Sequence, residues 1–199
     1  MRYIQALFDT AFYTTPYRFL IPAWIIWALS WWAAALWSKR AASSASLAQE
    51  IPYRLFTALG VFLLFGIIDF RLPNWSVPTA FGWIMFALAV AGFGWCWWAR
   101  LHLGALWSSN VTRKEGHRIV DTGPYAITRH PIYTGLLTAV LATGLARGRA
   151  EALLGAFLVI LGTFIKARLE ERFLSETLGP DYAAYRQRVP MLIPGAPAP

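Results

Sequence analysis

The sequence predicts an all-α, polytopic membrane protein with about five transmembrane helices, and three observations predict it. Of 199 residues, 57% are hydrophobic and only 14% charged, against roughly 45–50% and about 25% in average soluble domains. Five apolar stretches alternate with polar segments, at lengths suited to spanning or buried helices. Eleven tryptophans point to the membrane interfaces where Trp collects. This composition excludes a disordered chain, a collagen, a disulfide-stapled mini-protein and an ordinary soluble enzyme, whose surface needs more charge.

A spanning helix needs about 20 mostly apolar residues. Residues 19–37 carry no charge and form the first span. Residues 55–70 form the second, with Asp69 near its end. Residues 79–99 form the third and cleanest, stopped by Arg100. Residues 132–146 and 152–165 are shorter, and Arg147-Gly148-Arg149 between them reads as the turn of a helical hairpin. Residues 1–18 are polar and aromatic and lack the compact apolar stretch of a secretory signal. Residues 1–99 thus hold three N-terminal spans. Residues 100–199 hold a linker, the hairpin and C-terminal amphipathic helices, within a single domain.

The chain carries 18 Lys+Arg against 10 Asp+Glu, a net charge of +8. With the N-terminus outside, only Arg2, Arg18, Arg71, Arg147 and Arg149 fall in outer segments, and the other 13 basic residues fall inside. Inverting the topology reverses that ratio, so the positive-inside rule predicts N-out, C-in. Segments 100–131 and 166–199 then share the cytoplasmic face. The basic charge needs no nucleic acid to explain it, because it lies between apolar spans. Attraction to anionic lipid headgroups follows.

The single Cys96 permits no internal disulfide, and no Cys/His spacing fits a metal site. It sits among Trp95, Trp97 and Trp98 at the cytoplasmic end of the third span, which suits an aromatic belt. Trp24, Trp27 and Trp31 share one helix face. Packing or lipid contact is the default reading there, and a ligand cage the alternative.

Two polar segments carry the chemistry. In residues 116–135, Gly123-Pro124 reads as a turn. Pro131 suits the first turn of the fourth span, where its missing N–H costs nothing. Arg129 and His130 then stand at a helix N-terminus, which favours anions. A ligand carboxylate or phosphate fits there. So does the plainer reading, in which Arg129 holds lipid phosphate and His130 caps the helix. In residues 166–179, Lys166–Glu170 and Arg168–Glu171 are spaced as helical ion pairs, and Gly179-Pro180 reads as a helix stop. Either this is a solvated face, or Glu170, about one turn beyond the span, holds a cationic ligand group. No dinucleotide fingerprint, P-loop, nucleophile elbow or zincin motif occurs.

These segments resemble the isoprenylcysteine carboxyl methyltransferase family, in the wider group with phospholipid N-methyltransferases. The resemblance rests on Leu103-Gly104, Gly123-Pro124-Tyr125, Arg129-His130-Pro131-Ile132-Tyr133-Thr134-Gly135, Glu170-Glu171, Gly179-Pro180-Asp181-Tyr182 with Tyr185, and Arg188-Val189-Pro190. It covers roughly residues 95–195, and it is specific only in combination. It implies an integral membrane enzyme using S-adenosylmethionine, in a cytoplasmic pocket built from the linker before the hairpin, the hairpin itself and the C-terminal helix.

By the same resemblance, His117, Ile119 and Val120 line the nucleoside side of that pocket. Gly123, Tyr125, Arg129, His130, Pro131 and Tyr133 shape the methionine end, and Glu170 pairs with its ammonium. Tyr182 and Tyr185 close the pocket from below. Glu170, Arg129 and Arg100 are the implied catalytic groups, with Arg100 about one turn past the family's substrate-holding Arg. Lys166 stands where the family carries Arg, keeping the charge without the bidentate fork. The implied acceptor is lipophilic and enters from the bilayer of a bacterial or archaeal inner membrane. An isoprenylcysteine-like carboxylate is preferred. A phospholipid or amine N-methyltransferase, or a non-catalytic protein retaining the fold, is the alternative.

Overall fold

Each of the five apolar stretches folds as a helix in the computed structural model, which describes residues 16–34, 36, 41–44, 46–104, 107, 112–114 and 119–198. They are α1 (Tyr17–Ala34), α2 (Leu47–Phe65), α3 (Thr79–Leu103), α4 (Pro131–Arg147) and α5 (Ala150–Arg188). By length and hydropathy, α3 and α5 are long and apolar enough to cross a membrane. Ile25, Ile26, Leu29 and Trp32 of α1 and Leu55 and Leu59 of α2 are exposed on the outside of the bundle. Apolar surface of that extent suits a non-aqueous surrounding.

The hairpin turn falls at Arg147-Gly148-Arg149 as predicted, with Gly148 capping α4. Two helix bounds differ from the sequence expectation. The second span was expected to run through residue 70, but α2 ends at Phe65. Gly66 takes a left-handed conformation (φ 73°), and its N–H bonds back to Leu63 and Phe62, which terminates a helix. The last helix joins the apolar stretch at 152–165 to the expected helical segment at 166–179, whose Lys, Ala, Arg, Leu and Glu are good helix formers, and runs on past the expected stop to Arg188. Its 39 residues amount to about 58 Å at 1.5 Å per residue, roughly twice a bilayer core. Only its first part is apolar enough to cross a membrane, and the charged remainder continues past it. The expected stop at Gly179 is a break (φ 54°, ψ −129°), after which the helix resumes behind Pro180.

Outside the helices lie a 3₁₀ turn at Gly123–Ala126 and a short antiparallel ribbon that the sequence reading did not anticipate. In it β1 (Ala41–Ser44) pairs with β2 (Thr112–Lys114), with Ala41 opposite Lys114. Both strands are short polar stretches without the period-2 apolar pattern that marks a strand.

Small residues let the helices approach closely. A methyl group added at Gly135 of α4 would lie 2.5 Å from Gly92 O of α3, and one at Gly60 of α2 would lie 2.7 Å from Gly155 O of α5. Such contacts drive helix packing in an apolar medium, where the hydrophobic effect does not. Cys96 belongs to this seam rather than to an exposed belt. It is fully buried, and its Sγ lies 3.2 Å from Ile132 O. The tryptophan face of α1 is also packing. Trp24 meets Phe93 edge-on at 4.8 Å, Trp27 stacks on Phe93 at 5.4 Å, and Trp31 stacks on Trp27 at 5.1 Å. Trp24 Nε1 donates to Thr143 Oγ1 at 2.9 Å.

Candidate active site

Pro131 is the first residue of α4, with His130 as its N-cap. The chain before it is pinned by the chain's end: Arg129 N donates to Pro190 O at 2.8 Å, and His130 N donates to Met191 O at 3.1 Å. Thr134 Oγ1 adds a bond to Leu192 O at 2.6 Å. The N–H groups of Arg129 and His130 are therefore spent on the C-terminal segment.

Glu171 is the hub of this end of the molecule. Its carboxylate receives a bidentate pair from Arg129, Nε to Oε1 at 2.9 Å and the terminal Nη2 to Oε2 at 3.0 Å. His130 Nε2 lies 2.9 Å from Oε1, and Tyr182 donates its hydroxyl to Oε1 at 2.6 Å. Arg186 Nε stands 3.2 Å from Oε2. The remaining Arg129 nitrogen donates to the carbonyls of Arg186 and Val189. Burial raises the Glu171 carboxyl, but hydrogen bonds from His130, Arg129 and Tyr182 outweigh it and hold its pKa at about 2. Glu171 therefore clasps the C-terminal helix onto α4 and α5. It pairs with Arg129, His130 and Arg186 rather than with the Arg168 of the predicted helical pair.

Glu170 points elsewhere. Tyr133 donates its hydroxyl to Glu170 Oε1 at 2.6 Å, and His130 Nδ1 lies 3.4 Å from Oε2. The Glu170 side chain is 19% exposed against 7% for Glu171. A carboxylate has about four acceptor sites, and Glu170 uses fewer of them. Lys166 Nζ sits over the rings of Tyr53 and Tyr133 at 5.6 and 5.5 Å. Burial raises Glu170's pKa, but the His130 hydrogen bond and the Lys166 charge bring it below its ordinary value.

His130 lies between two carboxylates, and both ring nitrogens donate only in the imidazolium form. Burial lowers its pKa, but the bonds to Glu170 and Glu171 raise it above the ordinary value. Its ring stacks on Tyr133 at 5.5 Å between centroids.

The other sequence-predicted residues fall around this core. Tyr185 donates its hydroxyl to Tyr125 O at 2.6 Å. Ile119 packs on the cluster of Tyr182, Tyr185 and Val189. Val120 is half-buried beside it in sequence. Gly123 opens the 3₁₀ turn with φ 57° and lies against the His102 ring. Arg100 is 1% exposed and braces helix ends, donating to Ala34 O at 2.8 Å and to Gly104 O, with its guanidinium 4.6 Å over Trp107. It joins neither carboxylate. His117 lies outside the described residues. Sequence reasoning missed the central part of Glu171. The signal was the Arg129-His130 pair standing against two adjacent carboxylates.

Residues 83–176 match the sequence model of the isoprenylcysteine carboxyl methyltransferase (ICMT) family. Protein-S-isoprenylcysteine O-methyltransferase B of Arabidopsis thaliana is 35% identical over 86 residues, 42% of this chain and 43% of that protein. Protein-S-isoprenylcysteine O-methyltransferase of Schizosaccharomyces pombe is 36% identical over 87 residues, 43% of this chain and 36% of that protein. Methanethiol S-methyltransferase of a Pseudomonas species is 30% identical over 159 residues, 73% of this chain and 60% of that protein. The matches thus span from about a third to three fifths of these relatives' lengths. Over residues 83–176, a little under half of its length, the chain is similar to the isoprenylcysteine carboxyl methyltransferase family.

Proposed function

We propose that this protein is an integral membrane methyltransferase using S-adenosylmethionine, and that its acceptor is a lipophilic or small amphiphilic carboxylate entering from the bilayer. The observation that carries the reading is the division of labour between adjacent carboxylates: Glu171 is saturated, and Glu170 is left partly open beside His130 and Tyr133.

The residues fit the cofactor's chemistry. An α-ammonium needs a carboxylate with spare acceptor sites, which Glu170 offers. A sulfonium gains from aromatic faces, which Tyr133 supplies. When bound, S-adenosylmethionine supplies an electrophilic methyl group. The protein's own task is to orient and to exclude water. Orientation alone can account for roughly 7–11 kcal/mol of such a barrier. The linker residues Ile119, Val120, Gly123 and Tyr125 and the terminal-helix residues Tyr182 and Tyr185 are the proposed walls.

The proton inventory favours an acceptor that is already anionic. Both ring nitrogens of His130 are engaged by carboxylates, and Glu170 is held below its ordinary pKa, so neither offers a free base to the acceptor. General-base efficiency needs a pKa near the working pH. A carboxylate acceptor needs no base, whereas a neutral amine does. A thiol is the second reading, favoured by the methanethiol S-methyltransferase relative that aligns over 73% of this chain. The charge distribution supports an N-out topology with the site on the cytoplasmic face.

Calorimetry on the detergent-solubilised protein tests the cofactor. Saturable S-adenosylmethionine binding that Glu170→Ala weakens supports the reading, and no binding ends it. Methyl-labelled product from a membrane lipid extract then tests the acceptor. An alkali-labile label indicates an ester, and a stable one a thioether or amine.

A further inference from the structure

The lower part of α5 has a second charged face, turned away from Glu170. Arg168, Arg172, Ser175 and Glu176 share it with the outer side of Glu171, and Arg186 reaches it from beyond the Gly179 break. Together they line a cavity of about 550 Å³, within the roughly 300–1,000 Å³ of small-molecule sites. The reaction proposed above uses none of Arg168, Arg172 or Ser175.

We propose that this cavity binds a phosphate group, and that the anionic headgroups of the surrounding leaflet supply it. Three arguments support this. Glu171 cannot neutralise the groove, because Arg129 and His130 already occupy its oxygens. That leaves Arg168 and Arg172 facing Glu176, with Arg186 shared with Glu171. Among the described residues neither Arg168 nor Arg172 forms an ion pair, and both are exposed. The second argument is incomplete neutralisation: Arg186 Nε shares Glu171 Oε2, at 3.2 Å, with the bidentate Arg129, and its side chain is 38% exposed toward the groove. Guanidinium groups suit phosphate oxygens.

The third argument is depth. The apolar part of α5 ends at residue 165, so Arg168 follows within one helical turn. That is the level of the headgroups if α5 crosses the bilayer, and this part of the inference rests on that reading. Basic residues there gain about fivefold in lipid affinity each. Ser175 donates its hydroxyl to Glu171 O at 2.7 Å, so the charge-bearing contacts fall to the arginines. Glu171 both lines the cavity and binds Arg129 and His130, so an occupant here reinforces the clasp that holds the C-terminal helix.

Thermal unfolding of the full chain in neutral detergent tests this, with titration by dioleoyl-phosphatidylglycerol, dioleoyl-phosphatidylcholine or inorganic phosphate at constant ionic strength. A ligand that binds the native state raises the unfolding temperature. Phosphatidylglycerol, whose phosphate charge is uncompensated, is expected to raise it, and phosphatidylcholine, whose choline cancels its phosphate charge, to leave it unchanged. In the Arg168→Gln/Arg172→Gln variant the phosphatidylglycerol concentration needed is expected to rise roughly thirtyfold. A rise with inorganic phosphate that the double variant also loses supports the phosphate site and assigns it to a soluble source. No response to either phosphate ligand overturns the proposal. So does an equal response to phosphatidylcholine, or one unchanged in the double variant. S-adenosylmethionine binding, measured in parallel, is expected to be the same in both proteins, which separates this failure from failure of the methyltransferase reading.

Discussion

The two ends of the helix bundle both carry buried arginine–glutamate clusters, and they use them differently. At the hairpin end, Arg149 bridges Asp69 at 2.9 Å and Glu151 at 3.0 Å. Glu151 also accepts from Leu72 N at 3.0 Å. Arg147 donates to Leu63 O and Leu64 O at 2.8 and 2.7 Å, carbonyls of the last turn of α2. These charges are spent holding loops and helix ends. At the opposite end, Arg129, His130, Tyr182 and Arg186 converge on one carboxylate, Glu171. Its neighbour Glu170 keeps spare acceptor capacity. A stabilising cluster becomes a candidate site when one of two adjacent acids is fully satisfied and so releases the other.

The sharpest test removes the clasp. Arg129→Ala leaves Glu171 buried without its bidentate partner and frees the carbonyls of Arg186 and Val189. Breaking a buried pair from one side costs about 3–5 kcal/mol. Denaturant unfolding in detergent is expected to show that loss, together with loss of cofactor binding as the C-terminal helix detaches. Glu170→Ala is expected to do the reverse. It removes charge-assisted bonds of about 1.5–3 kcal/mol from the ligand side, so S-adenosylmethionine affinity drops tenfold or more, while stability falls only by about 1–3 kcal/mol for the Tyr133 and His130 donors it leaves unpaired. Equal destabilisation by both variants would erase the distinction between the two acids.

A smaller effect is expected at the hairpin end. Arg147→Met removes two carbonyl bonds at the C-terminus of α2, where a cation also meets the helix dipole. The expected loss is about 1–2 kcal/mol of stability, read from the same unfolding curve, with cofactor binding unchanged. If cofactor binding falls instead, the two ends are coupled through α4.

The helices were legible because uninterrupted apolar runs leave the backbone few alternatives to helix. Pro131 and Gly148 marked the bounds of α4 for local steric reasons. Gly66 was harder to read: apolar residues continue past it, and only its positive φ stops α2. The site was half legible. Tyr133 and Glu170 were named from the motif, and they meet at 2.6 Å. Glu171 was not singled out, because neighbouring residues on a helix point about 100° apart. Which of them meets Arg129 depends on how the chain folds back after Gly179, and no local spacing encodes that. Arg100 shows the same limit: its partners Ala34 and Gly104 are backbone carbonyls, which every residue carries.

The smallest expected effect is a pH dependence that separates the two ends. His130 has a raised pKa, so its stabilising contribution is complete below its ordinary value of about 6.5 and is lost as pH rises through the raised value. Glu171, held at about 2, contributes fully above the usual carboxylate range and loses that contribution as pH falls toward 2. Glu151 is likewise held at about 2, chiefly by the Arg149 hydrogen bond, and follows the same acid limb. Among the described residues no histidine pairs with Arg149 or Glu151. Acid therefore weakens both ends, and mild alkali weakens only the site. The unfolding midpoint is expected to be flat from about pH 4.5 to 6.5 and to decline above. His130→Gln is expected to remove the alkaline decline and keep the acid one, since a neutral amide cannot lose the proton that both glutamates hold in place. An alkaline decline that persists in His130→Gln would place the titrating group elsewhere and deprive the site of its imidazolium.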